Sequence, residues 1–369
     1  MKITRIRAYG VNLPVKGGRY SWSKGKSVAQ VDSTVVRIDT DAGLEGWGEV
    51  CPLGSFYLPA FAMGARAAIA EMGPHLLGLE PTGLEGVNRA MDSVLKGHPY
   101  AKCAIDLACW DLAGKAAGLP VAVLLGGRFG ESVPCGKAVS LAEPARMAAE
   151  METHRAAGYR RFQLKVGDDP EGDIARIRTV AAALKPGELA VADANCAWTR
   201  HEAMRVARAV ADADIYLEQP CETYGECLSV RRMTALPFVL DEVLETEDQL
   251  LRALDDGAMD VVCIKLSRVG GLTKGRRFRD LCAARGVAMM FADSWGSDIM
   301  SSAIAHLAHS TPEHLRLWCG DFRTYVTVAT ADGGAARLKA AVAATGAPGL
   351  GLAPRLDVLG QALVDVGRG

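Results

Sequence analysis

Five charged residues stand at the ends of short apolar runs and recur in a regular step. Lys165 ends RFQLK, Asp193 ends LAVAD, Glu218 ends DIYLE, Asp241 ends PFVLD and Lys265 ends DVVCIK; beyond them Asp293 follows VAMMFA and Trp318 closes LRLW. The step is about 25 residues throughout. Any one charge at a strand end is as readily a solvated turn residue or a helix cap. Five in phase, in the order Lys, Asp, Glu, Asp, Lys, make a poor coincidence. Carboxylates on adjacent strands converge on one point and repel each other unless a cation joins them. Hard oxygen donors of this kind suit Mg²⁺, which keeps coordination positions for water or substrate.

The runs that carry these residues are short and rich in Val, Ile, Leu and Phe, which reads as buried strand. Amphipathic stretches such as DDPEGDIARIRTVAAALK (Asp168–Lys185) lie between them. Strand and helix alternating at this period give parallel strands joined by crossover helices. An earlier run, VPCGKAVS (Val133–Ser140), brings the strands to eight. The expected fold class is therefore α/β, a (β/α)₈ TIM-type barrel with its site at the C-terminal strand ends. Lys165 and Lys265 fall on strands two and six, half a turn apart, so their amines face each other across the barrel mouth. Residues 1–125 lack the alternation. Ile3–Pro14, Ser33–Thr40 and Glu45–Val50 read as an antiparallel meander, with TDAGLEG as a hairpin turn. Helices are expected near Phe61–Met72, Gly83–Leu95 and Ala101–Ala117. The chain thus divides into an α+β segment (1–125), the barrel (126–324) and an Ala- and Gly-rich segment (325–369) expected to return to the first.

Composition narrows the function class. A net charge of −1 with 49% hydrophobic residues gives no argument for nucleic acid or an anionic membrane. No apolar run is long enough to span a bilayer. The opening MKITRIRAYGVNLPV alternates like a strand and lacks a signal core, so a cytoplasmic enzyme with a small-molecule partner is expected. The ten cysteines show no CxxC pairing and read as reduced core residues. GGRFG (Gly126–Gly130) and VGGLTKG (Val269–Gly275) lack the spacing of a phosphate loop. His306 and His309 sit in a helix, SDIMSSAIAHLAHS, that already reads as barrel packing.

The chain resembles the enolase superfamily, and within it the muconate-lactonizing-enzyme subgroup. The matching pieces are GWGE (Gly46–Glu49), AKCAIDLACWDLAGKAAGLP (Ala101–Pro120), LLGG (Leu124–Gly127), QLKVG (Gln163–Gly167), DAN (Asp193–Asn195), EQP (Glu218–Pro220), DE (Asp241–Glu242) and KLSRVGG (Lys265–Gly271). The resemblance implies a capping domain built from the N-terminal segment and the C-terminal tail. It also implies Mg²⁺ on Asp193, Glu218 and Asp241, with Lys165 and Lys265 as acid/base groups. Such sites draw an α-proton from a carboxylate and leave an enediolate, whose charge a divalent cation stabilises. The base must be neutral when it acts, so a lysine that titrates near 10.4 when free needs its pKa lowered. Glu242, one residue past Asp241, is expected to point to the other side of its strand.

Two departures bear on substrate. The subgroup commonly carries Lys-x-Lys on strand two, where this chain has Gln163 before Lys165; the amide donates a hydrogen bond but brings no charge. Dipeptide epimerases of the subgroup show Asp-x-Asp on strand eight, where CGDF (Cys319–Phe322) keeps only Asp321. The walls are aromatic: Trp318, Trp295, and Tyr57 and Trp22 from the loops CPLGSFYLP and GGRYSWSKGKS suit a cation or a compact ring. Asp293 or Asp321 is placed to meet an amine, and Gln163 and Asn195 complete the substrate-binding set. These loops look like the branch acting on proline derivatives, and within it the cis-3-hydroxy-L-proline dehydratases. The implied reaction is anti elimination of water to give Δ1-pyrroline-2-carboxylate. The alternatives are a racemase or epimerase of proline betaine, hydroxyproline betaine or an N-acylamino acid, and, more remotely, a non-catalytic ligand-binding barrel. A homo-oligomer is expected.

Overall fold

Alternating apolar and polar residues make Ile3–Pro14 a strand with one buried face. It pairs antiparallel with Gln30–Thr40, which turns back through Thr40–Leu44 to pair with Glu45–Val50. The structure, a computed structural model, describes residues 1–367; the last two positions of the expected 325–369 segment lie outside the described residues. The tail returns to this first sheet. Val364–Gly367 adds antiparallel to its edge, with Arg5 opposite Gly367. Helices Ala62–Leu76, Leu84–Val94 and Pro99–Ala117 come next, within a few residues of their expected spans.

Pro99–Ala117 is buried on nearly every side and joins the two halves of the molecule. Its Asp106 accepts from the Thr273 N–H (3.0 Å) and hydroxyl (2.6 Å), which sit at the start of a barrel helix. Asp111 accepts from the backbone N–H of Trp47 and of Leu350. Glu49 at the end of GWGE reaches into the barrel, where its carboxylate accepts from the Ser297 N–H and hydroxyl and from the Met300 N–H. A carboxylate on the free N–H groups that open helix Asp298–His309 satisfies donors the helix cannot satisfy itself. The glycines of GWGE serve the same contact. A Cβ on Gly48 would sit 1.9 Å from the Ala104 carbonyl oxygen, and one on Gly46 2.2 Å from that of Ala108. Because the obstacle is backbone, Gly48→Ala is expected to cost about 3 kcal/mol, the upper end of overpacking penalties. A thermal unfolding midpoint equal to wild type would contradict this packing.

The second sheet has eight parallel strands in sequential order: Lys137–Val139, Arg161–Lys165, Leu189–Asp193, Tyr216–Glu218, Phe238–Leu240, Val261–Lys265, Ala288–Ala292 and Arg316–Cys319. A parallel bridge between Cys135 and Cys319 brings the last strand to the first, with the Gly136 N–H donating to the Cys319 carbonyl at 3.1 Å. The fold is the expected TIM-type barrel with a capping domain. Two local features differ from the sequence reading. The run Val133–Ser140 divides: Val133–Pro134 pairs with Ala341–Ala343 of the tail, and only Lys137–Val139 joins the barrel. Proline has no N–H for an interior ladder, and a Cβ at Gly136 would strike the Trp318 ring at 2.6 Å. The eighth strand leads into a short 3₁₀ turn, Phe322–Thr324, where a complete (β/α)₈ repeat would place a helix. Inside the ring Val191, Val239, Val261, Cys263, Met290 and Trp318 pack together, the inward set of each strand at period two. Among the described residues no helix is long and apolar enough to cross a membrane.

Candidate active site

Lys165, Asp193 and Glu218 are level in the sheet: Lys165 is the register partner of Asp193, and Asp193 that of Glu218. A capping box fixes the start of the helix after each of the three acidic strands. Thr199 with Glu202, Thr223 with Glu226, and Thr246 with Gln249 satisfy the opening N–H groups reciprocally. Backbone strain gathers in the intervening loops. Of the non-glycine residues with left-handed φ among the described residues, Asn195 (45°), Cys196 (64°) and Gln219 (35°) all lie just past Asp193 or Glu218. Conformations of this kind persist where the surroundings over-determine them, often at functional sites.

Asp193, Glu218 and Asp241 are at most 1% exposed. Lys165 Nζ donates to Asp193 Oδ2 at 2.5 Å, and Lys265 Nζ to Asp241 Oδ2 at 2.6 Å. Arg268 Nη1 donates to the other Asp241 oxygen at 2.6 Å. Burial opposes the charge of both lysines, but the facing carboxylates outweigh it and hold both amines protonated. Burial would also raise Asp241, yet Arg268 and Lys265 hold it well below the usual carboxylate range. Glu218 differs. Gln163 donates to its Oε2 at 2.7 Å, while Oε1 is buried without a partner. Burial first, then the charges of Asp193 and Asp241, push its carboxyl well up. One oxygen each of Glu218 and Asp241 and the Cys263 thiol lie within 4.8 Å of one another.

A hydrogen-bonded chain connects the two lysines around the rim. Lys165 Nζ donates to Asn195 Oδ1 at 3.3 Å, Asn195 Nδ2 to Glu242 Oε1 at 2.9 Å, Tyr57 Oη to that same oxygen at 2.7 Å, and Lys265 Nζ to Tyr57 Oη at 2.7 Å. Glu242 is therefore in the site, contrary to the expectation that it faces away. The strand stops at Leu240, so period-two alternation does not reach residue 242. Burial, then the charge of Asp241, lifts its carboxyl to about 7.

Between the two lysines and the capping loops lies a cavity of about 90 Å³, lined by Lys165, Lys265, Gln163, Asn195 and a ring of aromatic residues; Asp193, Glu218 and Asp241 do not line it. Trp318 and Trp295 come from the barrel, and Trp22 and Tyr57 from the two capping-domain loops, which meet with ring centroids 6.2 Å apart. Asp293 lines the cavity too, but Ser267 and Ser294 already donate to its carboxylate, which burial raises to about 6. Asp321, expected to meet an amine, does not line the cavity; it accepts from Arg323 at 2.7 Å and pairs with Arg337 at 3.4 Å.

Sequence reasoning missed Tyr20, Phe322 and Tyr325 in the wall and Arg268 beneath Asp241. Arg268 lies within KLSRVGG and could have been singled out there. Tyr325 opens the tail segment and gives no local signal. The histidines are structural: His306 accepts from the Ala122 N–H, burial holds it neutral near 4, and His309 sits between Gly130 and Ala344. All ten cysteines are free.

Known proteins agree with this architecture. The family described as mandelate racemase / muconate lactonizing enzyme, N-terminal domain, matches residues 21–126, and that described as enolase C-terminal domain-like matches 146–358. A cis-3-hydroxy-L-proline dehydratase of Roseibium aggregatum is 51% identical over 361 residues, 98% of each chain. An N-succinyl-L-Arg/Lys racemase of Bacillus cereus is 30% identical over 84% of this chain and 85% of its own. A crystal structure of an enolase-superfamily member from Roseovarius nubinhibens ISM, complexed with magnesium, is 40% identical and aligns over all of both chains with a TM-score of 0.95. Matched in both halves and over its whole length, the chain belongs to the enolase superfamily, in its mandelate racemase / muconate lactonizing enzyme group.

Proposed function

We propose that the protein is a Mg²⁺-dependent hydro-lyase that dehydrates cis-3-hydroxy-L-proline to Δ1-pyrroline-2-carboxylate. The observation that carries this reading is the 51% identity, over 98% of both chains, to a dehydratase of that substrate. The racemase relative is far more distant. The donor set fits the metal. Three buried carboxylates stand at neighbouring strand ends, one oxygen each of Glu218 and Asp241 lies within 4.8 Å of the other, Glu218 keeps an oxygen without a partner, and hard oxygens are what Mg²⁺ takes. Asp193, Glu218 and Asp241 would hold it. A divalent cation so held supplies Lewis-acid stabilisation of the charge that builds on the substrate carboxylate.

The rest falls to the chain's own residues. In cis-3-hydroxy-L-proline the hydroxyl and the carboxylate share a ring face, so the α-hydrogen and the hydroxyl are anti. Amines on strands two and six bracket such a ring from opposite walls. One lysine takes the α-proton while the other, protonated, gives its proton to the departing hydroxide. The accepting lysine must be neutral, which requires its paired carboxylate to be satisfied by another cation. Trp295 and Trp318 would hold the ring, Gln163 would donate to the carboxylate, and Asn195 with Glu242 would keep the lysines aimed. A cytoplasmic location and a homo-oligomer remain parts of this proposal. The test is a substrate panel with Mg²⁺ present. The cis isomer should yield a product that borohydride reduces to proline, and the trans isomer, with hydrogen and hydroxyl on one face, should react far more slowly. Equal rates for both isomers would overturn the reading.

Tyr57 supplies a second prediction. Its hydroxyl joins Lys265 to Glu242, and hydrogen bonds to charged groups contribute about 1.5–3 kcal/mol. Tyr57→Phe should therefore lower kcat/KM by about tenfold to a hundredfold. An unaltered kcat/KM would show that Lys265 does not need this anchor.

A further inference from the structure

Cys263 is the inward residue of its strand, two before Lys265, and only 2% exposed. Its thiol lies within 4.8 Å of one oxygen each of Glu218 and Asp241, and it also lines the cavity. One Glu218 oxygen, Oε1, is buried without a partner. The carboxylates alone make a hard site; with a sulfur among them the donor set is mixed, and thiolate selects softer ions. We propose that Cys263 turns this centre into a site for thiophilic divalent cations (Zn²⁺, Cd²⁺, Co²⁺), which bind through Glu218, Asp241 and the Cys263 sulfur and displace Mg²⁺. The inference rests on the proposed metal-binding role of Glu218 and Asp241.

The chemistry balances without a further reactant. The cation forms a bond to sulfur, the S–H bond breaks, and the proton passes to buffer, one for each cation bound through sulfur. No electron moves. These ions should compete with Mg²⁺ for the shared carboxylates, in keeping with their higher intrinsic affinity for such donors.

The experiment is a titration of the full-length protein with Co²⁺, read by absorption and by proton release, alongside calorimetric titration with Mg²⁺. The expected result is a near-ultraviolet thiolate-to-cobalt charge-transfer band with release of a proton, both suppressed by excess Mg²⁺. Cys263→Ser and Cys263→Ala should lose the band and bind Co²⁺ at least about tenfold more weakly, while still taking up Mg²⁺ and unfolding cooperatively. Cys196→Ser, which alters the least buried of the ten cysteines, should keep the band. Co²⁺ that competes with Mg²⁺ but gives no charge-transfer band, or a band that survives in both Cys263 variants, overturns the inference and leaves the Mg²⁺ reading standing. Absence of any binding by Mg²⁺ and Co²⁺ alike would sink both.

Discussion

Glu218→Gln is expected to lose more than about a thousandfold in turnover and, without added metal, to unfold at a higher temperature than wild type. The two effects have one cause. Glu218 is fully buried between Asp193 and Asp241 with one oxygen unpartnered, so its negative charge is disfavoured by burial and by both neighbours. A neutral amide of the same shape relieves that cost, and its carbonyl oxygen still accepts from Gln163. The same charge is what a divalent cation needs, and such a cation contributes several kcal/mol of transition-state stabilisation, with each factor of ten worth about 1.4 kcal/mol. Wild type should gain stability with rising Mg²⁺ as a bound ligand requires, and the variant should show little or none of that gain. Paired thermal melts with and without Mg²⁺ check both halves. A variant that still turns over near the wild-type rate, or whose midpoint still climbs with Mg²⁺ as wild type does, removes Glu218 from the metal site.

Lys165→Ala and Lys265→Ala should each lower kcat by about a hundred- to ten-thousandfold, the usual weight of a general acid or base. They should also differ from each other. The variant that keeps the proton-accepting lysine should still exchange the substrate α-hydrogen for solvent deuterium without releasing water; the variant that lacks it should do neither. Each substitution strips a buried partner from Asp193 or Asp241, so metal-free stability should fall by about 3–5 kcal/mol. Asp241 keeps Arg268, so the Lys265 variant should fall less than the Lys165 variant. Retention of more than about a tenth of wild-type kcat in both variants would exclude the two-lysine scheme.

The sequence made the barrel legible because its strands are buried on both faces and so appear as uniform apolar runs between amphipathic helices. The strand-end ladder was legible for the same reason: parallel strands in register bring residues at equal steps to one level, as Lys165, Asp193 and Glu218 show. Reasoning by period failed where the strand had ended. Glu242 lies two residues past Leu240, in a turn that carries it onto Tyr57 and Asn195. It failed also where a partner is remote in sequence. Asp321 looked free to meet an amine until Arg323 and, from the tail, Arg337 claimed it. Tyr325 enters the wall only because the chain leaves the eighth strand by a 3₁₀ turn with no helix behind it. The GWGE glycines matched a motif, but the reason for them, backbone contact with helix Pro99–Ala117, is a packing between segments distant in the chain.

The measurement that bears most directly on the proposed reaction is proton NMR of cis-3-hydroxy-L-proline and proline betaine, incubated side by side with the protein and Mg²⁺ in D₂O. The α- and carbinol-proton signals of hydroxyproline are expected to disappear together as pyrroline signals grow, while the betaine spectrum stays unchanged over the same period. Brisk loss of the betaine α-proton signal, with no water lost from hydroxyproline, would contradict the dehydratase reading and make the protein an epimerase on the same scaffold.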